Sequence, residues 1–391
     1  MRNRNKTAMV IGIAVVAAAL GLVAPDLART ASQQTEWNAL KNGRDIYMTA
    51  CAACHGGNGR GNSQSSVAFE TPLPDFSDCN FTSREGAADW FQIARLGGPV
   101  RGFHQMMPAF GEALTDAQLK AAVAHIKRFC AEDKWPDGIL NLPKALVTGK
   151  AYPEDEYMFT YSMNGGSPWM FEGKFVFEKR IGARHQVEVA IPVVVKELER
   201  QKADGTTQTR FGEGVGDIAL GYKFNVFHSL KSLTIMSLST EVILPSGDEA
   251  DRIGKGFFRI EPFLTLGQLI PALGFLQFQA GAELSTKPNK GAHELFWRGV
   301  FGHSFAKGGY GRTWSPMIEV LGAKEMEDDT KIEWQVLPEL QVTLNQRQHI
   351  RFCLGARIPV TDFDRDNIQY MAYLLWDWFD GGFTDGWRGA L

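Results

Sequence analysis

From residue 216 onward, apolar and polar side chains alternate one by one over runs of ten residues and more. In Gly216–Phe227, Ile218, Leu220, Tyr222, Phe224 and Val226 fall on one face, against Asp217, Lys223 and Asn225 on the other. The same period organises 273–284 (Leu276, Phe278 and Leu284 against Gln277, Gln279 and Glu283), 331–344 and 349–360. A period of two is that of a strand with two unlike faces. Soluble strands run to ~5–6 residues, whereas a tilted strand that crosses a bilayer needs ~9–11. The connectors alternate too. Short ones fall near 180–184, 228–231, 271–272 and 344–348; longer or more charged ones fall near 197–213, 245–255, 286–292, 324–330 and 361–366. The pattern predicts an antiparallel transmembrane β-barrel of about 12 strands over residues 154–391. An even strand number puts both barrel ends on the side of the short turns. A soluble β-sandwich or lipocalin-like barrel has the same period but turns its apolar face inward.

The polar face is charged: Glu172, Lys174, Glu188, Asp217, Lys223, Glu241, Arg259, Glu261, Glu283, Arg298, Glu319, Glu333, Glu339, Arg351 and Arg357 lie on it. In a membrane barrel these side chains point into the lumen. They either fill it and hold it open or, because carboxylates outnumber bases, form a cation path or metal-binding stripe. Cys353 shares that face. Trp169, Trp297, Trp314, Trp334, Tyr370 and Trp376 suit interfacial girdles. The net charge of −3 gives no basis for a nucleic-acid partner. Five cysteines in 391 residues are too few for a disulfide scaffold.

The first 31 residues read as an export signal: Arg2, Arg4 and Lys6 precede an apolar run from Ala8 to Ala24. An uncleaved anchor is the alternative. Residues 36–131 have a different texture, of period 3.6. "YMTACAACHGGNGRG" contains C-x-x-C-H, the attachment pattern for c-type haem. Cys51 and Cys54 would form thioethers, and His55 would be the proximal iron ligand. A redox dithiol expects a βαβ context and a zinc site needs a second ligand pair. Leu40, Gly43, Tyr47 and Ala50 recur at helical spacing, and Gly43 permits close helix–helix approach. Thr115 and Gln118 fit a capping box ahead of the stripe Leu119, Ala122, Val123 and Ile126. Met107, before Pro108, is the candidate sixth ligand, with Met106 and His104 as alternatives.

The run G-x-x-x-Y-x-x-x-C-x-x-C-H, then M-P-x-F and a closing helix, resembles monohaem class I cytochrome c. The resemblance implies a small all-α electron carrier with one covalent haem c and His55/Met107 ligation. The insert "ETPLPDFSDCNFTSRE" departs from that family. Its Cys79 would suit a disulfide with Cys130 in an oxidising compartment, against the alternative of two free buried thiols. Residues 132–153 hold three prolines and no sustained periodicity, and read as a semi-rigid linker. The fold class expected is therefore α+β multidomain, a cytochrome domain before the barrel. "GVGDIALGYKF" also resembles, over a short stretch, outer-membrane transporters linked to aromatic-compound degradation.

Haem first and barrel second resembles the fused cytochrome–porins of extracellular electron transfer, which include outer-membrane iron oxidases. That resemblance implies one-electron traffic between a periplasmic carrier protein and an extracellular metal ion or redox partner, with the barrel in outer-membrane lipid and the cytochrome domain in the periplasm. Any iron oxidation would be outer-sphere. Two other readings stand beside it: a channel whose tethered cytochrome is a redox partner or plug, and a periplasmic carrier with a β-rich binding module.

Overall fold

The computed structural model describes residues 40–67, 72–166, 168–201, 207–306 and 311–387. The export-signal segment 1–31 lies outside them. The chain divides into two units. One comprises the chain up to Ser77 with Ala87–Gly98 and Gln105–Phe129. The other comprises Asp78–Gly86, Pro99–His104 and everything from Cys130.

The first unit is helical. The helix Gly43–Ala50 starts at Asn42, whose side chain accepts from the Asp45 N–H. The helix Asp116–Lys127 starts at the expected capping box, with both reciprocal Thr115–Gln118 bonds formed. Gln118 has a further task, as its Nε2 donates to the Leu40 carbonyl at 2.9 Å. Where the two helices pack, Tyr47, Leu119, Ala122, Val123 and Ile126 of the predicted stripes are buried; Ile46, outside the predicted stripe, is buried with them, and Leu40 and Ala50 are partly buried. Each such large apolar side chain contributes roughly 1.5–3 kcal/mol. At Gly43 an added Cβ would collide with the Ala121 carbonyl, so glycine sets the closest approach of the pair.

The second unit is a closed antiparallel barrel. Its strand segments among the described residues are β1 Glu156–Asn164, β2 Met170–Ile181, β3 His185–Gln201, β4 Thr207–Val215, β5 Ala219–Ser229, β6 Thr234–Ile243, β7 Arg259–Ile270, β8 Gly274–Ser285, β9 Glu294–Gly302, β10 Phe305–Ala306, β11 Thr313–Glu325, β12 Glu333–Thr343, β13 Ile350–Pro359 and β14 Gln369–Asp377. β3 pairs with β5 over its first half and with β4 over its second, so β4 and β5 make one stave. β11 pairs with both β9 and β10, so β10 extends β9. That leaves the twelve staves expected from the sequence. β14 pairs with β1 from Glu156↔Asp377 to Asn164↔Gln369 and closes the ring without a free edge.

The faces are arranged as the alternation predicts for a membrane barrel. Phe159, Phe175, Leu220, Leu276, Phe278, Phe301, Ile318 and Leu354 are exposed on the outside, while Glu178, Gln186, Asn225, Gln277, Gln279, Glu319, Glu339 and Gln341 are buried. A soluble sandwich or lipocalin-like barrel would have the reverse. A bulge between Asn225 and Phe227 shifts the alternation, and the outer face resumes at Phe227. The region 197–213, expected as a loop, is instead mostly paired strand, from Glu197↔Phe211 to Gln201↔Thr207. Its apolar residues, Leu198 and Phe211, are isolated among polar ones, so no sustained alternation marked it. Glu178 was also absent from the predicted polar face, although it sits directly across from Glu188.

The interior is not empty. Residues 142–155, all but the last two within the segment whose sequence reads as a linker, run inside the barrel. Their main-chain groups bond to wall side chains. The N–H groups of Val147 and Thr148 donate to the two Glu319 oxygens at 2.9 and 2.8 Å, and that of Leu146 donates to Glu339 at 2.8 Å. Gly149 N–H donates to Gln279, and the carbonyls of Pro143, Lys144 and Ala151 accept from Gln277, Gln341 and Ser237. Buried main-chain groups must be paired, and here the lumen-facing half of the alternation pairs them.

Candidate haem site

The haem motif sits where two short helical stretches meet. Gly43–Ala50 ends at Cys51, and Ala52–His55 follows at once. The His55 N–H donates to the Cys51 carbonyl at 2.9 Å, the i to i+4 bond of a helical turn. Cys51, Cys54 and His55 are thus spaced i, i+3 and i+4 and share one face. All three are half-buried, and neither cysteine is in a disulfide.

The turn after the motif is pinned from several directions. Gly56 has φ +73, which a side-chain-bearing residue adopts only at a cost. Its carbonyl accepts from the Tyr47 hydroxyl at 2.6 Å. The Asn62 side chain donates to the Ala53 carbonyl at 2.8 Å, and the N–H groups of Gly61 and Asn62 return to His55 and Cys54. Tyr47 also packs against His125 and Phe129, with ring centroids 5.4 and 5.2 Å away. Phe76 lies 4.9 Å from the His55 ring and 5.2 Å from Trp90, and both aromatics are buried. These supports were not singled out in the sequence, apart from Tyr47 as a packing residue. An aromatic six residues into the insert was their only signal.

The donor set fits a c-type haem. It offers two thiols free to form thioethers and an imidazole whose Nδ1 is buried without a hydrogen-bond partner. Burial pushes the His55 pKa down to about 4, so the ring is neutral at physiological pH, the form that ligates iron.

Of the candidates for the second ligand, Met107 is half-buried, whereas Met106 and His104 are exposed. The Met107 carbonyl accepts from the Gly98 N–H at 2.9 Å, and Phe110 N–H donates to Ala94. Those bonds tie the Met-Pro segment to the end of the helix Ala87–Leu96. A Cβ at Gly97, whose φ is +87, would press on the Met107 carbonyl oxygen at 3.1 Å. Cys79 and Cys130 are joined in a disulfide, and both group with the barrel unit. Beside them in that unit, Arg84 pairs with Asp155 and lies over the Phe379 ring at 3.8 Å.

Residues 38–126 match the family model described as cytochrome C oxidase, cbb3-type, subunit III. Among curated proteins nothing matches. Among solved structures the chain is similar to the KdgM porin (8% identity, 56% of this chain and 98% of that one, TM-score 0.36). It is similar to the NanC porin (9%, 56% and 98%, TM-score 0.38) and to an outer membrane channel from Pseudomonas putida F1 (7%, 56% and 93%, TM-score 0.37). Likeness at that level assigns no function. With the family match over its N-terminal part and the closed ring of strands after it, the chain is a cytochrome c domain followed by a twelve-stave β-barrel.

Proposed function

We propose that this protein transfers single electrons at the outer membrane, between a periplasmic carrier protein and an extracellular or lumen-entering donor or acceptor such as a metal ion. The observation that carries the reading is the reversal of faces in the barrel: polar side chains inside and apolar ones outside, in a chain that also bears the haem motif. An outward apolar band belongs in lipid. In that setting the short turns and both barrel ends face the periplasm, where c-type haem is attached and the Cys79–Cys130 disulfide is stable.

One covalent haem c on Cys51 and Cys54 supplies reversible one-electron chemistry when bound. His55 would provide the proximal nitrogen, kept neutral by burial and oriented by the turn that Tyr47 and Asn62 pin. Met107 would provide the second ligand, a soft thioether that raises the potential of a His-ligated haem. With both ligands in place no open position would remain for a substrate, so the chain would act as a carrier and any metal-ion oxidation would be outer-sphere.

Vectorial electron transfer tests the proposal. The haem-loaded protein is inserted into liposomes that contain a reduced dye, and chelated ferric iron is added outside. Dye oxidation that is lost with Cys51→Ala/Cys54→Ala supports a self-contained conduit. Dye that stays reduced in vesicles with inserted, haem-loaded protein would contradict it.

A further inference from the structure

We propose that residues 142–155 are a resident plug, and that the barrel has a second, gated activity: passage of small inorganic ions once this segment withdraws. The inference goes beyond electron transfer. It rests on membrane insertion alone, so loss of haem through Cys51→Ala/Cys54→Ala leaves it standing.

Three observations carry it. First, the segment is not part of the wall. The ring is closed by β1 against β14, and the hydrogen bonds that hold the segment come from wall side chains rather than from strand pairing. Its departure breaks no strand pairing. Second, its seat is hydrophilic. When it leaves, Glu319 and the Gln279 carbonyl oxygen accept from water and the Gln341 amide donates to it, in place of main-chain groups. The apolar part of the seat takes in Leu142, Ala145 and Leu146, in one cluster with Phe275, Val300, Met317 and Leu375, and Ala151 and Tyr152, which cluster with Ile235. Third, the interior opens on the loop side into a cavity of about 550 Å³, lined by Lys196, Glu197, Gln335, Arg357 and Gln369 among others. A hydrophilic vestibule above a hydrophilic seat is the make-up of a pore with its stopper in place.

Glu319 is the principal latch. It is fully buried, and its carboxylate accepts from Val147 N–H, Thr148 N–H and the Thr148 hydroxyl, the last at 2.5 Å. A glutamine there offers one acceptor oxygen and turns an NH2 group toward donors. Cys353 is a built-in reporter. It is fully buried, faces the interior beside Glu339 at 3.6 Å, and belongs to the cluster that holds Ala145.

The test is ion conductance in planar bilayers, with labelling of Cys353 by a charged, membrane-impermeant maleimide as a second readout. The wild-type barrel should stay shut and Cys353 unlabelled. Glu319→Gln should raise both the open fraction and the labelling rate about ten-fold or more, from the loss of charge-assisted bonds. A chain with residues 142–153 replaced by a Gly/Ser linker should be permanently open. If Glu319→Gln fails to insert, Thr148→Val, which leaves the wall untouched, is read in the same two ways. Wild-type current equal to that of the linker chain would overturn the proposal. So would an inserted latch variant with wild-type current and labelling.

Discussion

In the helical unit, Ile46, Tyr47, Leu119 and Val123 are inside. In the barrel, Gln186, Gln279, Glu319 and Gln341 are inside, while Phe175, Leu276, Phe278 and Leu354 are outside. The two halves of one chain therefore follow opposite burial rules. The first is what water selects, with apolar side chains hidden from solvent. The second is stable only where the outer medium is itself apolar. Exposure alone does not separate them. Met48 on the helical unit and Phe278 on β8 are both 43% exposed, yet the first is an isolated surface methionine and the second is one of a continuous apolar row.

The comparison breaks most visibly at the cofactor. Cys51→Ala/Cys54→Ala should abolish covalent haem, read as loss of haem staining on a denaturing gel. The barrel should still close, read as an unchanged heat-induced shift in migration. Next come two lysines at equal exposure. Phe278→Lys should destabilise the bilayer-folded barrel by about 2–4 kcal/mol, the cost of a charge near mid-membrane. Met48→Lys should change the melting of the helical unit by no more than about 0.5 kcal/mol. Equal effects would remove the contrast between the two surfaces. Gly43→Val probes the core of the helical unit, where the added carbons meet the Ala121 carbonyl. It should cost about 1–3 kcal/mol in denaturant titration followed by haem absorbance, with the barrel unaffected. The smallest effect is Thr115→Ala, which removes the cap and should cost about 1 kcal/mol in the same titration.

What was legible in the sequence follows the same division. Gly43, the Thr115–Gln118 box and the Cys51–Cys54–His55 face were readable because each is local, with cause and effect within a few residues. The strands were readable because alternation declares two faces. Residues 142–155 were not readable as an interior element. Their prolines and lack of period describe a chain without regular structure, and nothing local says that Glu319, Gln279 and Gln341, well over a hundred residues later, satisfy its main chain. The hairpin extension of β3 and β4 was missed because Leu198 and Phe211 stand isolated among polar residues and no alternation is sustained there. Phe76 beside His55, and Trp90 beside Phe76, lie outside the haem motif, so the motif could not point to them.

The most direct test of the central account, a haem domain and an inside-out barrel in one chain, is a single gel of outer membranes from cells that mature c-type haem. The account predicts one band that stains for haem and changes its migration on boiling. A haem-stained chain recovered in the soluble periplasmic fraction, with migration indifferent to heat, would contradict it.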